Sequence, residues 1–246
     1  MILSVSRRTD IPAFYADWFF NRIKEGFIYV RNPMNIHQVS KISLSPSVID
    51  CIVFWSKNPK PMLDRLDELK NYMYYFQFTI NPYDIKLEEY VPTKSGIIDT
   101  FKELSNKIGP ERVIWRYDPI ILTDTLTMEY HVKYFEELAK RLNGFTKTCI
   151  ISFVDLYKKT ERNLKGLTAR GLSQSEMLKL ATNLAFIARR FGITIQSCAE
   201  KIELASVGIQ HGHCIDNILI EDLLGVKLVV SKDKNQRPEC GCVQSI

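Results

Sequence analysis

The sequence predicts an α/β fold: a single-domain TIM-type (β/α) barrel, complete or partial, with parallel strands. Two patterns carry that expectation. Short apolar, β-rich runs alternate with segments of helical period, which calls for parallel strands joined by right-handed crossovers. Six of those runs also end on polar or charged residues: Ser6-Arg7-Arg8-Thr9-Asp10, Ser56-Lys57-Asn58, Thr79-Ile80-Asn81, Arg116-Tyr117-Asp118, Ser152-Phe153-Val154-Asp155 and Ser197-Cys198-Ala199-Glu200. Polar tips on nearly every strand suit a barrel, in which all the ends face one mouth, better than an open sheet that gathers ligand at one switch point. The Gly-x-Gly-x-x-Gly signal of a dinucleotide fold does not follow the first strand.

The elements follow in order. Ile2 to Val5 reads as the first strand, with Asp10 as N-cap and Pro12 near the first position of the next helix, whose apolar face is Phe14, Trp18, Phe19 and Ile23 and whose stop is Gly26. Phe27 to Val30 and Val39 to Leu44 read as an inserted hairpin. The continuous run Cys51 to Trp55 is typical of a strand buried on both faces. A helix marked by Met62, Leu63, Leu66 and Leu69 follows, then a third strand from Tyr74 to Ile80 and a helical stripe through Ile97, Phe101 and Ile108. Arg112 to Trp115 is the fourth strand, Met128 to Leu142 a helix, and Thr148 to Val154 the fifth strand. Ser173 and Glu176 have capping-box spacing ahead of a long apolar face, and Ile193 to Gln196 is the sixth strand. Helices near Ile202 to Val207 and Asp216 to Leu224 and a short seventh strand, Leu228 to Val230, complete the chain. No repeat or low-complexity tract divides it, so one domain spans 1–246, with a cysteine-containing tail from about residue 226.

Composition narrows the function classes. With 246 residues, 46% of them hydrophobic, the chain can bury a sizeable core, and its net charge of +5 is scattered among 28 acidic residues without a basic block. Nucleic acid is an unlikely partner on this evidence; a small-molecule substrate is the expected one. Six cysteines are too few for a disulfide scaffold, and the amino-terminal residues do not resemble a secretory signal. No apolar stretch reaches the roughly 20 residues needed to span a bilayer. The expectation is a cytoplasmic protein without a membrane segment.

The strand tips supply the candidate chemistry. Asp118, Asp155 and Glu200 are candidate catalytic acids or bases, while Arg7, Arg8, Asp10, Lys57, Asn58, Asn81 and Arg116 are candidates for holding cofactor or substrate, the arginines by their bidentate fork. Each aspartate or asparagine also has a plainer reading as a helix cap or turn former. Cys51 and Cys149 lie inside apolar strands and are assigned to the core. Cys198, Cys214, Cys240 and Cys242 sit among polar residues and number the four ligands of a closed metal site, zinc being one occupant, with His211 or His213 as substitutes; surface thiols on a loose tail are the competing reading. Ser-His-Asp, Walker and His-Glu-x-x-His patterns are missing.

Several segments together resemble one family. Ser4-Val5-Ser6-Arg7-Arg8-Thr9-Asp10-Ile11-Pro12, Phe54-Trp55-Ser56-Lys57-Asn58-Pro59, Arg116-Tyr117-Asp118-Pro119, Ser197-Cys198-Ala199-Glu200, Cys214-Ile215-Asp216 and Gln236-Arg237-Pro238-Glu239-Cys240-Gly241-Cys242 look like the bacterial DUF1848 family along essentially the whole chain. The resemblance implies a β/α-barrel relative of the radical S-adenosylmethionine enzymes, with an iron-sulfur cluster and S-adenosylmethionine as cofactors and the rim residues holding cofactor and substrate. In the family a further segment of Cys-x-x-x-Cys-x-x-Cys character would ligate the cluster; the 246 residues do not contain it. Two other classes stand beside this one: a metal-independent barrel hydrolase or lyase using Asp118, Asp155 or Glu200 as base, and a nucleic-acid binding or repair protein suggested by Trp18, Trp55 and Trp115, ranked last because all three fall in expected core elements.

Overall fold

The computed structural model describes residues 1–6, 9–32, 34–154 and 168–246. In chain order the elements are β1 (Ile2–Val5), α1 (Ile11–Phe14), α2 (Ala16–Glu25), β2 (Phe27–Asn32), β3 (Asn35–Ser43), β4 (Cys51–Ser56), a 3-10 segment (Lys60–Leu69), β5 (Tyr74–Thr79), α3 (Lys94–Ile108), β6 (Val113–Ile120), α4 (Met128–Leu142), β7 (Thr148–Phe153), α5 (Gln174–Arg190), β8 (Thr194–Cys198), β9 (Gln210–Gly212) and α6 (Asn217–Leu224). Strands β1, β4, β5, β6, β7, β8 and β9 form one parallel sheet in that spatial order. β2 and β3 pair separately as the expected antiparallel hairpin.

Because the order never reverses, right-handed crossovers carry the connecting helices to the same face of the sheet. Strand alternation then sorts the side chains. Ile52 and Phe54 of β4, Phe76 and Phe78 of β5 and Trp115 and Tyr117 of β6 join Phe19 and Phe20 of α2, Phe101 of α3, Phe135 of α4 and Leu184 of α5 in one large apolar core. Phe54 stacks on Phe76 with ring centroids 4.7 Å apart, and Trp115 on Phe135 at 4.8 Å. The indole Nε1 of Trp115 donates to the Ile80 carbonyl at 3.0 Å, so its one polar atom is satisfied. Ser173 and Glu176 form the expected capping box at the start of α5, and Gly26 ends α2 in the left-handed conformation, φ 75°.

The alternate strand residues face the other way. Ile2, Cys51, Val53, Tyr75, Ile114 and Ile150 pack against Cys214, Ile215, Ile220, Cys240, Cys242 and Val243, so the carboxyl-terminal segment covers the face that the helices leave bare. That segment is tied down by backbone bonds from Asp233 to the Cys242 carbonyl (3.0 Å), Val243 to Ile215 (3.2 Å) and Gln244 to Ser231 (2.7 Å). Ile246 exchanges two backbone bonds with the free edge of β1, to Ile2 and Ser4.

The expected α/β class with parallel strands is met in a seven-stranded sheet; pairing between β1 and β9 that would close a barrel is not among the described ladders. Two expectations are corrected. The seventh strand is Gln210–Gly212 and not Leu228 to Val230: the side chain of Val229 is fully exposed, whereas Gly212 lets β9 lie so close to β8 that a Cβ there would meet Gln196 at 2.8 Å. Trp18 is 42% exposed on α2, so only Trp115 among the tryptophans is fully in the core. The assignments of Cys51 and Cys149 to the core are met, both being fully buried; burial pushes the Cys51 thiol up to about 12 and that of Cys149 well above its usual range. His131 is likewise a satisfied core residue, between the Tyr117 hydroxyl (2.7 Å) and the Ile121 carbonyl (2.9 Å). No helix among the described residues is long and apolar enough to cross a membrane.

Candidate active site: a thiol cluster beside an arginine–aspartate pair

Inward-facing residues at the carboxyl ends of the strands meet the carboxyl-terminal segment around a cavity of about 600 Å³, whose wall includes Trp55, Asp118, Ser152 and all four of Cys198, Cys214, Cys240 and Cys242. Parallel alignment explains the gathering: Arg116 of β6 lies level with Ile150 of β7 and Gln196 of β8, so residues two positions further along, Asp118, Ser152 and Cys198, reach the same rim. Cys214 arrives from the loop before α6, and Cys240 and Cys242 from the tail.

The sulfurs touch in series. Cys198 Sγ lies 3.2 Å from Cys214 Sγ, Cys242 is hydrogen-bonded to Cys214, and Cys240 to Cys242. Cys242 Sγ also accepts the backbone N–H groups of Cys214 (3.2 Å) and Ile215 (3.5 Å). Gly241 lets the tail turn here, because a Cβ at that position would fall 2.1 Å from the ring of His213. The tail cysteines are 5–6% exposed, which removes the reading of loose surface thiols.

Charge organises the cluster. The guanidinium of Arg116 donates Nη1 to Cys214 Sγ at 2.7 Å and, weakly, to Gln77 Oε1 at 3.4 Å, while Nε and Nη2 both bond Oδ2 of Asp118. Donation from Cys198, then from Cys242, together with the Arg116 charge, holds the Cys214 thiol well below its usual range against the opposing effect of burial. The same contacts raise Cys198 and Cys242, whose protons serve Cys214, and burial adds to the rise. Burial opposes the charge of Arg116, but Asp118, Cys214 and Cys198 outweigh it and the guanidinium is held well above its usual value. Contacts and charge thus favour ionisation at Cys214 over Cys198 and Cys242. Tyr75 (2.7 Å) and Gln77 (2.9 Å) fix the Cys214 carbonyl from below.

The other candidate residues divide by position. Asp118 lines the cavity with both oxygens engaged, Oδ1 by the Ser152 hydroxyl and Oδ2 by Arg116. Asn81 clamps the end of β6 through the Asp118 backbone, donating to its carbonyl at 3.0 Å and accepting its N–H at 2.9 Å. Glu200 is buried and accepts the Phe153 N–H at 2.7 Å, bracing β7 against the end of β8. Asp10 caps α1 and accepts the Lys57 N–H at 2.7 Å; Asn58 accepts the Lys60 N–H in a local turn at 3.4 Å. Lys57 Nζ reaches away to Glu88 at 2.7 Å, a buried carboxylate shared with Lys94. Of the candidates at the strand tips, Asp118 and Cys198 thus line the cavity, Arg116 stands behind its wall bonded to Asp118 and Cys214, and Asp10, Lys57, Asn58, Asn81 and Glu200 hold the ends in place. Arg7, Arg8 and Asp155 lie outside the described residues. Trp55, Tyr75, Gln77 and Ser152 contribute to the site without having been singled out; only the polar Gln77 within the apolar run Tyr74-Tyr75-Phe76-Gln77-Phe78 signalled an unusual inner face.

Comparison with known proteins adds a family and no activity. No curated protein matches the chain. Among solved structures, a crystal structure described as "a putative alpha-L-fucosidase from Bacteroides thetaiotaomicron VPI-5482" aligns over 92% of this chain and 84% of its own with 11% identity and a TM-score of 0.32, a likeness too slight to carry an argument. The model of the family described as a domain of unknown function, DUF1848, matches residues 2–246, and the chain belongs to that family.

Proposed function

We propose that the protein is an enzyme acting on a polar small molecule in the strand-end cavity, with Cys198, Cys214, Cys240 and Cys242 as ligands of a transition metal, zinc or iron. The observation that carries this reading is the meeting of four thiols from three separate segments on the wall of one cavity that also includes Asp118, with Arg116 bonded to Asp118 and Cys214 behind that wall. Four sulfurs without a carboxylate among them suit zinc or iron. Among the described residues no group of three or more His, Cys, Asp or Glu stands in metal-holding geometry. The sulfurs are drawn together by S–H contacts: 3.2 Å between Cys198 and Cys214, against roughly 3.8 Å for the edge of a tetrahedron with 2.3 Å metal–sulfur bonds. Loading therefore requires loss of the thiol protons and a rearrangement of the serial contacts into a closed set, and the proton loss makes it pH-dependent.

Held by all four thiolates, a bound metal would be closed to substrate: zinc would pin the tail to the strand ends, and iron would supply electron transfer at the cavity wall. The chain's own residues do the rest. Arg116 offsets the negative charge of Cys214 and fixes Asp118; Asp118 and Ser152 present a polar edge to substrate; Asn81 and Glu200 keep the strand ends in register. S-adenosylmethionine radical chemistry, implied by the family resemblance, draws on a three-cysteine motif that the 246 residues do not contain. All six cysteines are free, and a working thiol cluster suits a reducing compartment such as the cytoplasm.

Anaerobic purification followed by metal analysis and visible spectroscopy tests the reading. The expected result is about one zinc per chain, or iron with broad visible absorbance, abolished by the double substitution Cys198→Ser and Cys242→Ser. A metal-free protein whose thermal midpoint ignores added zinc or iron, and whose turnover survives both substitutions, would overturn it in favour of a metal-independent hydrolase or lyase based on Asp118.

A further inference from the structure

A second cavity, of about 360 Å³, lies between β1, α2 and the β2–β3 hairpin. Its walls are mostly apolar, with Trp18 and Phe19 from α2, Ile28 and Val30 from β2, and Ile42 and Leu44 from the end of the hairpin. Five polar residues interrupt them, Ser4, Ser6, Thr9, Arg22 and Ser245, of which Arg22 alone carries a charged side chain. Ser4 Oγ and Arg22 Nε are also the buried side-chain polar atoms that lack any hydrogen-bond partner among the described residues. Arg22 makes no ion pair there either.

Buried donors are rarely left unpaired, since each gives up its bonds to water for nothing. Two such atoms on the wall of one cavity point to a missing acceptor. Arginine favours an anion, and its planar fork matches a carboxylate. The surrounding aliphatic and aromatic surface favours an apolar body on that anion, and the volume lies within the range of small-ligand pockets. We propose that this cavity binds an apolar monocarboxylate, its head group accepting from Arg22 and Ser4 and its body lying against Trp18, Phe19 and Ile42. The site is independent of the metal reading. Ser6 lines both cavities, so the acid sits next to the thiol site, as an effector or as the apolar end of a longer substrate.

Sodium octanoate titrated into the full chain at neutral pH tests this, followed by calorimetry and tryptophan fluorescence, with 1-octanol as the neutral control. Octanoate is expected to bind saturably and more tightly than 1-octanol, with a fluorescence change that disappears in Trp18→Phe. Arg22→Met should weaken octanoate about tenfold or more and leave 1-octanol nearly unaffected. Ser4→Ala guards against misfolding of the arginine variant: its unliganded thermal midpoint should be unchanged or higher, because it removes an unpaired hydroxyl, while the rise produced by octanoate should shrink. Equal binding of acid and alcohol, undiminished binding by Arg22→Met, or a lower unliganded midpoint for Ser4→Ala would each overturn the proposal.

Discussion

The two faces of the sheet are built from the same strands and differ in everything else. The helix-covered face is apolar and aromatic, and most of its side chains are fully buried. The face beneath the tail mixes aliphatic residues with five cysteines, Tyr75, Gln77, Arg116 and Asp118. One face is held by packing, which is non-directional and tolerant; the other is held by hydrogen bonds and charges that fail individually. The difference teaches where the molecule keeps its stability and where it keeps its chemistry.

The largest effect is expected on the helix side. Trp115→Ala should cost about 3–5 kcal/mol in urea unfolding, the usual range for emptying a large core aromatic site. A loss under half of that would mean that the helix face is looser than its burial indicates. On the inner face, Arg116→Leu leaves Asp118 without its counterion and should cost about 3 kcal/mol, and adding Asp118→Asn should recover part of the loss. Additive losses in the double variant would show that the pair does not act as a unit and would blur the contrast between the faces.

A smaller effect separates the faces by pH. Burial lowers the His131 pKa, so the folded protein holds it neutral while the unfolded chain takes up its proton near pH 6.5. Its contribution is thus complete above about pH 6.5 and is lost as pH falls from there toward the lower folded value. His131→Phe should flatten that slope below neutrality, while its baseline stability also falls because the Tyr117 hydroxyl and Ile121 carbonyl lose a partner. The Cys214 thiolate runs at the other end of the scale: its lowered pKa, taken alone, favours the fold above the ordinary thiol range and loses that contribution as pH falls through its folded value, while the raised pKa values of Cys198 and Cys242 work against the fold as pH rises through that range. Thiolate absorbance in the ultraviolet should persist below pH 8.5 in the metal-free protein, an approximate free-thiol value, and vanish in Arg116→Leu with Cys198→Ser. Persistence in that double variant would assign the thiolate to another cysteine.

Much of the sheet was legible in the chain because local patterns encode it. The run Cys51 to Trp55, the alternation of helical stripes with strands and the capping box at Ser173 all reappear where their periodicities place them. The misreading of Leu228 to Val230 has a local cause: two valines have high β propensity, yet Val229 has no neighbour to pair with, whereas the unpromising Gln210-His211-Gly212 has a glycine that permits close approach to β8. Cys198, Cys214, Cys240 and Cys242 could be picked out as a set from their polar surroundings. Their order of contact could not.

The sequence by itself determined the α/β class, the positions of six of the seven strands of the parallel sheet, the burial of Cys51 and Cys149 and the list of residues with chemical potential, since period, propensity and capping act over a few residues at a time. Only the tertiary structure decided that the tail would pack across the bare face of the sheet, that Lys57 would turn to Glu88 while Arg116 turned to Cys214, and that Ser4 and Arg22 would face a common cavity. Those outcomes depend on strand register and on electrostatic pairing between residues up to about a hundred positions apart, such as Arg116 and Cys214. No local pattern carries that information.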